Sequence, residues 1–190
     1  MPLNIPNLLT WLRILLIPLI VGVFYMPDSL LSYESRNLAA TGVFVFAAVT
    51  DWLDGYLARA LQQTSSFGAF LDPVADKLMV AGALIVLLQL ERVESVVALI
   101  IIGREIAISA LREWMAQIGQ SRSVAVAYVG KVKTAVQMIA IPLLLYQDDL
   151  FNWFNCQWLG TILINVAAVL TVISMLYYLR KAIPLASGRD

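Results

Sequence analysis

Four aspartates stand at fixed intervals in strongly apolar sequence: Asp51 and Asp54, three residues apart, then Asp72 and Asp76, four apart. Charged side chains at membrane depth are costly and usually functional. Between Asp51 and Asp76 the only lysine or arginine is Arg59, with Lys77 just beyond, so nearby basic residues cannot neutralise the set. A divalent cation can, and oxygen donors without histidine or thiolate favour magnesium, manganese or calcium over zinc. The chain has no histidine at all. Histidine general bases, Ser-His catalysis and imidazole metal ligands are therefore excluded, which leaves carboxylates, lysines, tyrosines or metal-bound oxygen for any chemistry that occurs.

Positioning these residues requires helices. Asp51, Asp54 and Ala58 share one face at i, i+3 and i+7, and Gly68, Asp72 and Asp76 another at i, i+4 and i+8. With Arg59 as a membrane boundary, Asp51 lies about 12 Å inward, and Asp72 and Asp76 about 6 and 12 Å into the following helix. A polar turn over 62–66 would join the two as an antiparallel pair with its carboxylates at a common depth. Gly55, Ala58 and Gly68 leave room for a ligand, although each by itself also suits close helix packing. Pro73 reads as a first-turn proline.

The whole chain is 61% hydrophobic with a mean hydropathy of +0.81, above the range of soluble domains. Its 190 residues accommodate about six spans of roughly 20 residues. Apolar stretches near 8–26, 38–60, 68–90, 95–118, 124–146 and 157–179 predict an all-α, polytopic membrane protein with six transmembrane helices, in which residues 1–190 form a single catalytic domain. Arg59, Arg112, Arg122, Lys131, Lys133, Arg180, Lys181 and Arg189 gather on one side and only Arg36 and Arg92 on the other, which predicts cytoplasmic termini. Arg13 interrupts the first apolar run, and no cleavable signal peptide is expected. The single cysteine, Cys156, excludes an intrachain disulfide and reads as a small apolar filler.

A second polar set has the opposite sign. Arg104, Arg112, Lys131 and Lys133 interrupt the fourth and fifth apolar stretches, accompanied by Glu105 and Glu113. Pairs such as Arg104 with Glu105 would be structural, but the cations exceed the acids on their helices, as a phosphate-bearing substrate requires. A cation transporter would also carry intramembrane acids; it predicts acidic groups on both sides, whereas here the aspartates crowd one hairpin.

Asp51, Asp54, Gly55, Ala58, Arg59, Gly68, Asp72 and Asp76, at these spacings, resemble the defining motif of the CDP-alcohol phosphatidyltransferases. Pro6, Asn7, Thr10 and Arg13, the Gly103, Arg104, Glu105 run, and Gly130, Lys131, Lys133 and Thr134 resemble the bacterial branch whose acceptor is glycerol 3-phosphate. The resemblance implies a homodimeric enzyme of the bacterial inner membrane that transfers a phosphatidyl group from CDP-diacylglycerol to an alcohol and releases CMP. It implies that Asp51, Asp54, Asp72 and Asp76 hold Mg2+ or Mn2+, with Asp76 also the base. Gly55, Ala58, Arg59, Gly68, Asn7 and Thr10 would meet CDP-diacylglycerol. Arg104, Arg112, Lys131 and Lys133 would hold the acceptor phosphate, with inositol phosphate as the alternative anionic acceptor. Membrane lipid is an expected partner and nucleic acid is not.

Overall fold

The computed structural model describes residues 5–60, 66–118, 128–150 and 153–186. Six helices follow the apolar stretches. Helix α1 spans Ile5–Gly22 and runs into a 3-10 turn at Val23–Tyr25; α2 spans Tyr33–Ala60, α3 Ser66–Gln89, α4 Ser95–Gln117, α5 Tyr128–Tyr146 and α6 Cys156–Ala186. Between α5 and α6 a two-residue antiparallel ladder pairs β1 (Asp149–Leu150) with β2 (Phe154–Asn155). Helix α1 packs on α2 and α3, while α5 packs on α6 and α2, and α4 on α6.

Boundaries differ from the hydropathy reading where polar residues remain helical. Helix α2 begins at Tyr33, ahead of its apolar part, and α6 continues past Arg180 and Lys181. Helix α3 begins at Ser66, so Pro73 is an interior residue and not a first-turn proline. Its ring removes the hydrogen bond that the carbonyl of Ala69 would accept, an interruption that membrane helices tolerate.

Large apolar side chains are exposed on every helix, including Leu15, Phe46, Ile85, Leu99, Ile139 and Val169, as expected where lipid is the solvent. Among the described residues, only α1 with its 3-10 turn, over Asn7–Tyr25, and α6, over Cys156–Arg180, are long and apolar enough to cross a membrane by length and composition alone. The other four are equally helical, but each carries two or more charged residues, which lowers its mean apolarity.

The core separates the site from the opposite end. Phe44, Leu84, Leu87, Ile101, Ile141 and Leu144 anchor a large buried cluster, and Ile108, Met115, Tyr178 and Ala182 a smaller one between α4 and α6. Close approach is set by glycine: a Cβ at Gly160 would lie 2.8 Å from Leu144 Cγ, so the Leu144 side chain of α5 packs directly on the α6 backbone there. At the end remote from the aspartates, buried Arg92 donates to the carbonyls of Leu144 (2.9 Å) and Leu145 (2.7 Å), to Tyr33 Oη (2.8 Å) and to Asn37 Oδ1 (2.7 Å). These bonds satisfy carbonyls that the last turn of α5 leaves open and tie the turn between α3 and α4 to both α2 and α5. Arg36 is paired with Asp28.

Candidate active site

Helices α1 and α3 run parallel and meet through two successive rungs. Thr10 Oγ1 donates to Asp72 Oδ1 at 2.6 Å, and one turn further along both helices Arg13 donates to Asp76 Oδ1. Steps of three residues on α1 and four on α3 each amount to about one helical turn, which keeps the rungs in register. The same Arg13 nitrogen, Nη1, also lies 2.7 Å from Oδ1 of Asp51 on α2. One guanidinium thus joins three helices through two carboxylates. It is wholly buried, whereas the side chains of Asp51 and Asp76 remain 40% and 45% exposed.

That open surface faces a cavity of about 450 Å³. Asp51 and Asp76 form its acidic wall; Lys77, Arg104, Arg112 and Lys133 bring positive charge to the rest, with Glu105 as the one acid among them. Lys133, buried on α5, pairs with Glu105 on α4. Arg104 Nη1 lies 3.4 Å from the same Glu105 oxygen, and its Nη2 donates to Ser174 Oγ at 3.2 Å. The guanidiniums of Arg104 and Arg112 lie over the Tyr178 ring, 5.7 and 5.6 Å from its centre, an electrostatically favourable placement. Glu105 therefore serves two cations at once, and the wall keeps a positive surplus. Gln137, also lining the cavity, is buried with its Oε1 lacking a hydrogen-bond partner among the described residues.

Placement differs in detail from what spacing implied. Asp51 and Asp76 converge, but Asp72 is engaged by Thr10 and is not part of the cavity lining. Among the described residues no three acids cluster as a ready metal site; the side chains of Asp54, Gly55, Ala58 and Arg59 lie outside the described residues. Gly68, Asn7 and Thr10 are buried, and Thr10 contacts a carboxylate rather than an open ligand space. Arg104, Arg112 and Lys133 line the cavity, whereas Lys131 is exposed and does not. Helix spacing missed Arg13 as a partner of the aspartates. A lone arginine in an apolar run is itself the signal, because such a charge must find a counter-charge.

A sequence model of the CDP-alcohol phosphatidyltransferases matches residues 3–175. The chain belongs to that family. This phosphatidyltransferase is 51% identical over 185 residues to the CDP-diacylglycerol–glycerol-3-phosphate 3-phosphatidyltransferase of Pseudomonas fluorescens, covering 95% of this chain and 91% of that protein. It is 49% identical over 186 residues to the protein of the same name from Escherichia coli strain K12, covering 96% of each. The similarly named protein of Haemophilus influenzae is 47% identical over 184 residues, with 96% and 95% covered.

Proposed function

We infer that this phosphatidyltransferase moves the phosphatidyl group of CDP-diacylglycerol to sn-glycerol 3-phosphate, giving phosphatidylglycerophosphate and CMP. The observation that carries the reading is the single cavity with two half-exposed aspartates on one wall and Arg104, Arg112 and Lys133 on another. Such a space has places for a nucleophile's proton and for an anionic acceptor. The names of the relatives, which cover nearly the whole chain, support the same substrates.

Carboxylate oxygens are the donors that a hard divalent ion takes, and Asp51 and Asp76 keep a half-exposed surface turned to the cavity. Asp51, Asp54, Asp72 and Asp76 would hold Mg2+ or Mn2+, which supplies charge neutralisation to the donor pyrophosphate and its leaving CMP. The chain's own residues do the rest. Thr10 orients Asp72; Asp76, bound by Arg13 on one side, turns its open side to the cavity and accepts the proton of the attacking acceptor hydroxyl. Arg104 and Arg112 bind the acceptor phosphate, with Lys133 holding Glu105 away from it. Gly55, Ala58, Arg59 and Gly68 would serve the nucleotide of the donor, together with Asn7 and Thr10.

In this reading the six helices cross the bacterial inner membrane, with termini and site on the cytoplasmic side. The donor's acyl chains stay in lipid while the water-soluble acceptor enters from the cytoplasm. Residues 1–190 act as one catalytic domain, assembled as a homodimer. The test is purified protein supplied with CDP-diacylglycerol and a panel of glycerol 3-phosphate, inositol phosphate, serine and glycerol, with CMP and the lipid product identified. Phosphatidylglycerophosphate as the main product is expected; a product from a neutral acceptor at equal rate would overturn the assignment.

A further inference from the structure

Among the described residues Arg13 is the most deeply buried charged side chain of the site, wholly enclosed in a helix that carries no other charge. Burying a guanidinium costs several kcal/mol unless it is paired, so packing alone gives no reason for arginine here. What the position offers is two carboxylates from different helices. Asp51 and Asp76 present their Oδ1 atoms to one nitrogen, and that nitrogen carries two N–H bonds, one for each oxygen. Without Arg13 the two carboxylates would face each other across the space its guanidinium now fills, with no shared donor between them.

We propose that Arg13 is a positioning residue, the fixed counter-cation of the aspartate site, which holds the Asp51 and Asp76 carboxylates together in place when no divalent ion is bound. Each carboxylate is tied on its protein side by a wholly buried group while its remaining surface opens to the cavity. The geometry of the ligand set is thus established before a metal arrives. Arg13 is not among the residues that line the cavity, so it acts through the two aspartates. The inference rests on the reading of those aspartates as a divalent-ion site, but its first test does not require the ion.

Thermal unfolding of the purified full-length enzyme in detergent, in excess chelator, is measured for the wild type, Arg13→Met, Asp76→Asn and the double variant. Arg13→Met is expected to lower the midpoint by on the order of 10 °C, the size expected when one partner of a buried pair is removed. The double variant is expected to recover at least half of that loss, because one of the two carboxylates that Arg13 served has gone. A double variant as unstable as the sum of its parents overturns the proposal. Should Arg13→Met fail to accumulate, the double variant is expected to accumulate, and its absence alongside a well-folded Asp76→Asn protein overturns the proposal equally. The same proteins are then measured in saturating Mg2+, where the Arg13→Met deficit is expected to shrink by half or more, a relief that loss of mere packing would not show. Coupling in chelator with a deficit that Mg2+ leaves untouched would uphold the counter-cation and overturn the divalent-ion reading instead.

Discussion

Replacing Arg112 by alanine removes the most accessible cation of the cavity. Its guanidinium rests on the Tyr178 ring, 5.6 Å from the ring centre, and the residue is exposed. Among the described residues it makes no salt bridge, so its charge is available to a phosphate. A hydrogen bond to a charged group contributes about 1.5–3 kcal/mol, which corresponds to roughly 10- to 150-fold in affinity. Water competes at an exposed site, which places Arg112→Ala toward the lower end, a KM for glycerol 3-phosphate raised about 10- to 30-fold. The KM for CDP-diacylglycerol should change far less. Lys131→Ala is the internal control: this exposed residue does not line the cavity, and its loss should alter either constant by about twofold or less. The assay is CMP release by the purified enzyme, with each substrate varied at saturation of the other. An Arg112→Ala protein with an unchanged glycerol 3-phosphate KM and a raised donor KM would refute the assignment of this wall to the acceptor.

Asp51→Asn and Asp72→Asn should nearly abolish turnover while the protein remains folded, and undiminished wild-type activity in excess chelator would contradict the role given to these carboxylates. Thr10→Val removes the 2.6 Å bond to Asp72; at about 1 kcal/mol, kcat at saturating substrates should fall roughly fivefold, with both KM values little changed. Lys133→Met leaves Glu105 with Arg104 alone, at 3.4 Å, and should destabilise the protein by about 3–5 kcal/mol; adding Glu105→Gln should restore much of this in chemical or thermal unfolding. Gly160→Val places atoms where Leu144 already lies within 2.8 Å of a Cβ, so α5 and α6 must separate at a cost of about 1–3 kcal/mol, read as a lower unfolding midpoint.

The amino-acid sequence by itself determined the six helices, because each long apolar stretch can satisfy its backbone only as a helix when lipid is the solvent. It also determined which face of a helix each carboxylate occupies, since Asp72 and Asp76 are related by one turn of the same rigid element. Boundaries drifted where polar residues remained helical: α3 starts early enough to place Pro73 in its interior. The site's connections were a different matter. Arg13 finds Asp76 across 63 residues, Lys133 finds Glu105 across 28, and Arg104 reaches Ser174 across 70. Periodicity along a chain sets orientation about a single helix axis. It does not set the rotation and axial shift of one helix against another, which follow from how side chains such as Leu144 and the bare surface of Gly160 interlock. For that reason the sequence could name the charges, while only the packed bundle decided that Arg13 belongs to the aspartates, that Lys133 belongs to Glu105, and that Lys131 stands outside the cavity.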